Sequence, residues 1–211
     1  MAARDNPLGA RNASRILLAS SNEGKLREYR RMAAGSGIEF DWLRGFGELP
    51  VFDETAATFA ENSAGKALHY SLFTQEMVLA DDSGLVVPAL GGAPGVQSAR
   101  YAGPGASDGD RVRKLLGELD AIGGGDRQAR FVCVISVAQQ GRAVAVVSGS
   151  AEGSIARGPR GVGGFGYDPV FLSEELGRTF AEASEEEKDR LSHRGKAFRR
   201  LLEFLRTRKV S

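Results

Sequence analysis

The stretch "MVLADDSGLVV", residues 77–87, decides most of the predicted fold, because a short apolar run leads directly into two adjacent acids. Residues 77–80 have the length and composition of a buried strand, and Asp81, Asp82, Ser83 and Gly84 would follow as a turn. Two carboxylates brought to one point repel each other unless a cation or a shared proton relieves them. Magnesium takes carboxylate oxygens and bridges phosphates, so the stretch indicates a magnesium-assisted phosphate site, with a plain solvated turn as the alternative.

The sequence on both sides of this stretch predicts a mixed α/β fold. Residues 15–20 are typical of a strand and 23–34 of a helix, and a second helix over 58–73 leads into the strand at 77–80. A glycine-rich loop over 91–109 precedes a helix at 110–122, and 129–153 predicts two long strands that turn at 139–141. After a second glycine-rich loop, 160–171, a capping box formed by Ser184 and Glu187 starts the C-terminal helical region.

Composition limits the partners, the location and the metal ligands that we expect for this protein. The chain has 211 residues, and 28 basic against 27 acidic residues give a net charge of +1, so no global field favours nucleic acid or an anionic membrane as a partner. No segment resembles a secretory signal or a membrane span. We expect a frayed tail over residues 1–14, a single domain over 15–208 and a cytoplasmic location. One cysteine and two histidines leave oxygen ligands as the expected metal donors.

The segment "SSNEGK", residues 20–25, lies where a predicted strand ends and a predicted helix begins. A helix N-terminus offers free backbone N–H groups and the positive end of the helix dipole, both of which favour phosphate. Ser20, Ser21 and Asn22 add side-chain donors, and Lys25 adds a charge. The alternative is an ordinary capped turn with a solvated lysine.

A second acidic group opens the helix at 58–73. Thr58 and Glu61 fit a capping box, which would explain Glu61 without any metal. Asp53 and Glu54 lie just upstream, however, and three carboxylates at one helix start indicate a nearby cation.

Two late motifs could complete a nucleotide pocket. In "GGFGYDPVF", residues 163–171, Phe165 and Tyr167 offer aromatic faces for a purine, and Asp168 could accept from a base; an aromatic hairpin corner is the alternative. In "KDRLSHRGKA", residues 188–197, one continuous helix would leave His193 solvated. If Ser192 instead caps a new helix, His193 and Arg194 fall in its first turn, where cations are disfavoured unless an anion is present.

Together and in this order, these motifs resemble the inosine triphosphatase family of noncanonical purine nucleoside triphosphate pyrophosphatases, from about Ile16 to Leu205. The resemblance is carried by "LASSNEGKLREY", "TFAENSAGKA", "LADDSGL", "LGGAPGVQSARYAG", "GGFGYDPVF" and "EEKDRLSHRGKA". It implies a two-lobed α/β fold, with a long central mixed sheet flanked by helices and a cleft between the lobes, and a homodimer. It also implies magnesium-dependent hydrolysis of ITP, dITP and XTP to the monophosphate and pyrophosphate, which cleanses the nucleotide pool.

The same resemblance assigns expected roles to individual residues. Asp82 would be the proton acceptor, and Glu54, Glu61 and Asp81 would join it in holding Mg²⁺. Ser83 would contact the substrate. The triphosphate would be bound by Ser20, Ser21, Asn22, Glu23, Gly24 and Lys25, and the rest of the nucleotide by Phe165, Gly166, Tyr167, Asp168, Lys188, His193 and Arg194.

Two other functions stay open at this point. A regulatory module could sense a triphosphate without cleaving it, although the paired acids argue against this because simple triphosphate binding favours cations. A pyrophosphatase of related architecture could prefer modified pyrimidines or methylated nucleotides, and the aromatic and His-Arg positions discriminate against it only weakly.

Overall fold

The computed structural model describes residues 14–123 and 125–208. One mixed sheet of seven strands runs through these residues in the order β2-β1-β3-β4-β5-β6-β7. The strands are β1 (Ser14–Leu18), β2 (Ile38–Trp42), β3 (Met77–Val86), β4 (Gln128–Gln139), β5 (Arg142–Ile155), β6 (Phe171–Ser173) and β7 (Arg178–Thr179). The predicted central mixed sheet flanked by helices is therefore confirmed.

Helices cover both faces of the sheet. They are α1 (Glu23–Ala33), α2 (Phe59–Tyr70), α3 (Asp108–Ala121), α4 (Glu185–Leu191) and α5 (His193–Arg208). Apolar residues of α1 and α5 pack with Leu79 on one face, and those of α2 pack with Val78 and Ala80 on the other. A third apolar cluster joins α3 to the far part of the sheet around Phe131. None of the helices in the described ranges is long and apolar enough to cross a membrane.

Strand order brings two predicted motifs together. β1 is parallel to both β2 and β3, with Leu18 opposite Leu79. The chain that leaves the carboxyl end of β1 therefore emerges beside Asp81 and Asp82, in the middle of β3. In open α/β sheets the carboxyl ends of parallel strands are where ligands bind.

The prediction that Asp81 to Gly84 form a turn is wrong. β3 continues through them to Val86, and its ladder with β4 places Asp82 opposite Val134 and Gly84 opposite Val132. Because successive side chains of a strand point to opposite faces, the two carboxylates diverge and do not meet at one point. The antiparallel partner strand, which the local sequence does not reveal, keeps this stretch extended.

Other predicted elements are confirmed. The hairpin of β4 and β5 turns at Gln140 and Gly141, both with positive φ, as a two-residue hairpin loop requires. The capping box of Ser184 is present, and the second predicted helix is α-helical to Tyr70 and then 3₁₀ to Phe73. Of the predicted tail, residues 1–13 lie outside the described residues, and Ser14 belongs to β1.

Candidate active site

A cavity of about 590 Å³, called the cleft below, opens beside the middle of β3. It brings together almost all of the predicted site residues, and Glu61 and Asp81 are the two that do not line it. Those that line it are Ser20, Ser21, Asn22, Glu23, Gly24, Lys25, Glu54, Asp82, Ser83, Phe165, Gly166, Tyr167, Asp168, Lys188, His193 and Arg194.

The start of α1 forms one wall of the cleft. Asn22 caps the helix, its side-chain oxygen accepting from the backbone N–H of Lys25 at 3.1 Å, and Ser20 Oγ accepts from the N–H of Asn22. Gly24 lets the Phe165 ring pack close to the helix start, since a Cβ at this position would lie 3.0 Å from the ring. The helix therefore presents its free N–H groups, with little side-chain bulk, to the cleft.

Asp81 lies behind this wall as a buried counter-charge. Its carboxylate is 2.8 Å from Lys25 Nζ and accepts from Arg194 Nε at 3.2 Å, and the residue is fully buried. Burial would raise its pKa, but the charges of Lys25 and Arg194 hold the pKa well below its usual value. Asp81 is thus ionised and already neutralised by two protein cations.

Asp82 lies on the opposite face of β3, next to α2. The side-chain amide of Asn62 donates to Asp82 Oδ2 at 3.1 Å. Burial and the nearby charge of Glu54 raise the pKa of Asp82, and the Asn62 hydrogen bond opposes this only in part. A carboxylate with a raised pKa at the edge of a polar cleft has the property expected of a general base.

The structure does not bring the four predicted metal-binding acids together. In residues 14–123 and 125–208, no three His, Cys, Asp or Glu side chains are grouped as a metal site. Glu61 is exposed and accepts from Thr58 Oγ1 at 2.7 Å, and Thr58 caps α2 by accepting from the N–H of Glu61, although the reciprocal bond of the predicted capping box is not formed. Of the four predicted acids, Asp82 and Glu54 line the cleft, and Glu54 is paired with Lys66 at 2.7 Å.

A buried set of charges lies beneath the Phe165 ring. Glu28 of α1 accepts from Lys188 Nζ at 2.8 Å and from Arg194 Nη1 at 2.6 Å, and Lys188 also donates to Asp168 at 2.6 Å. Although burial alone would raise the pKa of Glu28, Arg194 and Lys188 lower it to about 2. Arg194 donates further to Ser83 Oγ at 2.9 Å. The two cations are therefore fixed in position by buried partners.

Phe165 covers these cations from the cleft side. Its ring centre is 4.7 Å from Lys188 Nζ and 5.6 Å from the Arg194 guanidinium carbon. The Asp168 carboxylate accepts from the backbone N–H of Phe165 at 2.7 Å, which fixes the loop that carries the ring. Tyr167 is instead packed into the core and donates its hydroxyl to the carbonyl of Ser98, so of the two aromatic residues predicted for the pocket it is Phe165 that keeps its ring partly exposed.

His193 is buried in the first turn of α5. Ser192 accepts from the N–H of Gly195 and so caps a new helix, which confirms the second of the two alternatives for this motif. The imidazole stacks on Phe131 with ring centres 4.5 Å apart, and its Nδ1 has no hydrogen-bond partner among the described residues. Burial and the charge of Arg194 lower its pKa well below the usual value, so the ring is neutral.

The geometry of this site can now be compared with that of known proteins. The sequence pattern of the Ham1 family matches residues 16–204. The chain belongs to the Ham1 family. It is 50% identical over 186 residues to the dITP/XTP pyrophosphatase of Geobacillus kaustophilus, covering 88% of this chain and 91% of that protein. A protein of the same name from Gloeobacter violaceus is 50% identical over 189 residues, which is 89% of this chain and 92% of that one.

Solved structures agree with this assignment. The HAM1 protein from Coxiella burnetii is 42% identical and has a TM-score of 0.82, over 92% of this chain and 99% of that chain. The Ham1 protein of Staphylococcus aureus is 38% identical with a TM-score of 0.81, over 92% and 100%. The family resemblance and the fold expected from the sequence are confirmed.

Several residues of this Ham1 protein contribute to the cleft without having been predicted. Glu28 carries the buried charges, and Asp108 accepts from the backbone N–H of Gly166 at 2.6 Å, which ties the Phe165 loop to α3. Arg100 and Arg111 line the cleft. The run "GAPGVQSARYAG" contributed to the resemblance, but nothing in its spacing marks Arg100 as part of a site.

Proposed function

We propose that this protein hydrolyses noncanonical purine nucleoside triphosphates, dITP, ITP and XTP, to the monophosphate and pyrophosphate. The observation that carries the proposal is the pairing of two features across one cleft. Asp82, a carboxylate with a raised pKa, lines the cleft together with the helix N-terminus and Lys25, and the same cleft holds an aromatic face over buried cations. Family relatives named dITP/XTP pyrophosphatase support the same reaction.

Magnesium fits the residues present. Asp82 and Glu54 both line the cleft, and the Glu54 charge contributes to the raised Asp82 pKa, as expected for two carboxylates that share a region. Mg²⁺ is usually held by one or two carboxylates together with substrate phosphates and waters. Glu54 and Asp82 would hold the ion, and when bound it would neutralise phosphate charge.

The protein's own groups account for the remaining steps. The α1 N-terminus and Lys25 bind phosphate oxygens and hold the chain of phosphates along the cleft. Because Asn62 occupies Oδ2, we assign Asp82 Oδ1 as the oxygen that takes a proton from the attacking water. The water oxygen bonds to the α-phosphorus, the bond to the bridging oxygen breaks, and pyrophosphate leaves.

The base end of the cleft supports selection of a 6-keto purine. A base stacked on Phe165 would lie in the cleft that the neutral imidazole of His193 also lines. A neutral imidazole N–H can donate to a 6-keto oxygen, whereas the 6-amino group of adenine cannot accept. An unpaired buried donor costs about 1–3 kcal/mol, so adenine nucleotides should be disfavoured about ten- to a hundredfold. Guanine would have to be rejected by shape at its 2-amino group.

We also infer a homodimer, a cytoplasmic location and a single catalytic domain over residues 15–208. Support comes from the sequence resemblance, and the absence of a membrane-spanning helix in the described residues is consistent with it. Light scattering of the purified protein measures the first of these directly.

The decisive experiment is pyrophosphate release with Mg²⁺ from dITP, XTP, dATP and dGTP. We expect rapid release from dITP and XTP and its loss in Asp82→Asn, while Asp53→Asn, an exposed acid outside the cleft, retains activity. Release of orthophosphate would show that the wrong phosphorus is attacked. Tight binding without turnover would favour a nucleotide sensor, and turnover confined to modified pyrimidines would favour the related pyrophosphatases.

A further inference from the structure

One cation of the cleft differs from the others in its surroundings. Within residues 14–123 and 125–208, every other Lys or Arg side chain that lines the cleft lies within salt-bridge distance of a carboxylate. Arg100 has no such partner in these ranges. Its charge is therefore the least compensated of the cleft cations.

Arg100 is nevertheless held in place. It ends the 3₁₀ helix Gly95–Arg100, and its Nη2 donates to the backbone carbonyl of Glu54 at 2.7 Å, while its Nε donates to the side chain of Gln97. Both acceptors are neutral oxygens, which orient the guanidinium without cancelling its charge. An oriented, uncompensated guanidinium with further N–H groups is suited to bind phosphate oxygens in pairs.

The position of Arg100 indicates which phosphates these are. It is anchored on the carbonyl of residue 54, whose carboxylate pairs with Lys66, whereas the aromatic face of Phe165 lies over Lys188 and Arg194. We propose that Arg100 binds the two phosphates that leave as pyrophosphate. This inference rests on the proposed function, and it gives Arg100 the task of stabilising charge on the leaving group as the bond to the α-phosphorus breaks.

A purely structural role makes a different prediction. If Arg100 only tied the chain around residue 54 to the 3₁₀ helix, its loss would displace Glu54, and the effect would appear first in the concentration of Mg²⁺ needed for activity. A direct phosphate contact instead weakens pyrophosphate and leaves the monophosphate product unaffected. The two roles are therefore separable by binding measurements.

The test compares Arg100→Gln and Arg100→Lys with Arg113→Gln, an exposed arginine paired with Asp110 outside the cleft. We measure kcat/KM for dITP, the inhibition constants of pyrophosphate and dIMP, and the Mg²⁺ titration midpoint. In Arg100→Gln, kcat/KM should fall and the inhibition constant of pyrophosphate should rise, each about tenfold or more, while that of dIMP changes less than about twofold. Arg100→Lys should recover part of the loss, and Arg113→Gln should match the wild type.

Three outcomes would overturn the proposal. They are an unchanged inhibition constant for pyrophosphate, an equal weakening of dIMP and pyrophosphate, and a loss of activity fully restored by raising Mg²⁺. Direct calorimetric binding of magnesium pyrophosphate keeps the inference testable apart from the reaction. A wild type that releases no pyrophosphate from dITP would refute the proposed function, whereas weakened pyrophosphate binding in Arg100→Gln would still support this contact.

Discussion

Replacing Glu28 by Gln tests the buried charges beneath the Phe165 ring. The Glu28 carboxylate is buried and accepts from Lys188 at 2.8 Å and from Arg194 at 2.6 Å. A carboxyl whose pKa falls from 4.5 to about 2 on folding contributes about 3 kcal/mol to the free energy of unfolding at neutral pH. Removing one partner of a buried ion pair costs a similar amount, about 3–5 kcal/mol. We therefore expect Glu28→Gln to lower the free energy of unfolding by about 3 kcal/mol.

Urea denaturation, followed by the fluorescence of the single tryptophan, Trp42 in β2, measures this difference. Glu23→Gln is the matched control, because it removes an acid from the same helix that is exposed and 3.4 Å from Arg27. Exposed pairs of this kind contribute little, so the control should change the free energy of unfolding by less than about 0.5 kcal/mol. The comparison separates loss of a buried charge from loss of any charge on α1.

The pH dependence provides the stricter test. Because folding lowers the pKa of Glu28, its contribution is fully present above pH 4.5 and is lost as the pH falls towards 2. The gap in stability between the wild type and Glu28→Gln should therefore narrow on acidification. A gap below about 0.5 kcal/mol at neutral pH, or one that stays constant on acidification, would refute the reasoning.

Three further predictions concern the cleft and its supports. Asn62→Leu removes the hydrogen bond to Asp82 and should raise the pKa of that carboxyl further. The acid limb of the pH profile of kcat/KM for dITP should therefore move to higher pH, and an unmoved limb would exclude Asp82 as the titrating base. Phe165→Ala should raise KM for dITP about five- to a hundredfold, the range for loss of one stacked base, whereas Tyr167→Phe should leave KM unchanged in the same steady-state assay. Gly195→Ala should lower the free energy of unfolding, measured by urea denaturation, by about 1–3 kcal/mol, because a Cβ would overlap the Asp189 carbonyl. Gly117→Ala, inside α3 with open space around its Cβ, should instead raise the free energy of unfolding by about 0.5–1 kcal/mol.

The sequence predicts local elements well where a local rule governs them. Asn22 at the start of α1, Ser184 with Glu187, and the turn at Gln140 and Gly141 follow from capping and turn chemistry within a few residues of chain. The prediction for the segment around Asp82 was wrong for the opposite reason. Its extended backbone is imposed by β4, whose residues come about fifty positions later, and no local pattern reports that pairing.

The same contrast between local and long-range determinants applies to the candidate site. Residues in glycine-rich or capped motifs, such as Lys25 and Phe165, were predicted and lie in the cleft. Glu28 was missed because its partners, Lys188 and Arg194, lie on helices far along the chain, and one acid among the basic residues of α1 looks like a solvated side chain. Glu61 was included because an acid near a helix start satisfies a metal hypothesis and a capping rule equally well.

The two adjacent acids that first indicated a metal site now have different explanations, because β3 is covered on both faces. Asp81 points towards α1 and α5, where Lys25 and Arg194 lower its pKa well below the usual value, and Asp82 points towards α2, where burial raises it. Alternation along one strand thus places an ionised counter-charge and a candidate base next to each other in sequence without placing them in one environment. The counter-charge also links Lys25 to the buried charges around Glu28, since Arg194 contacts both Asp81 and Glu28 while Lys25 contacts Asp81. A continuous chain of alternating charges therefore runs from Lys25 of α1 to the cations under Phe165, within a protein of nearly zero net charge.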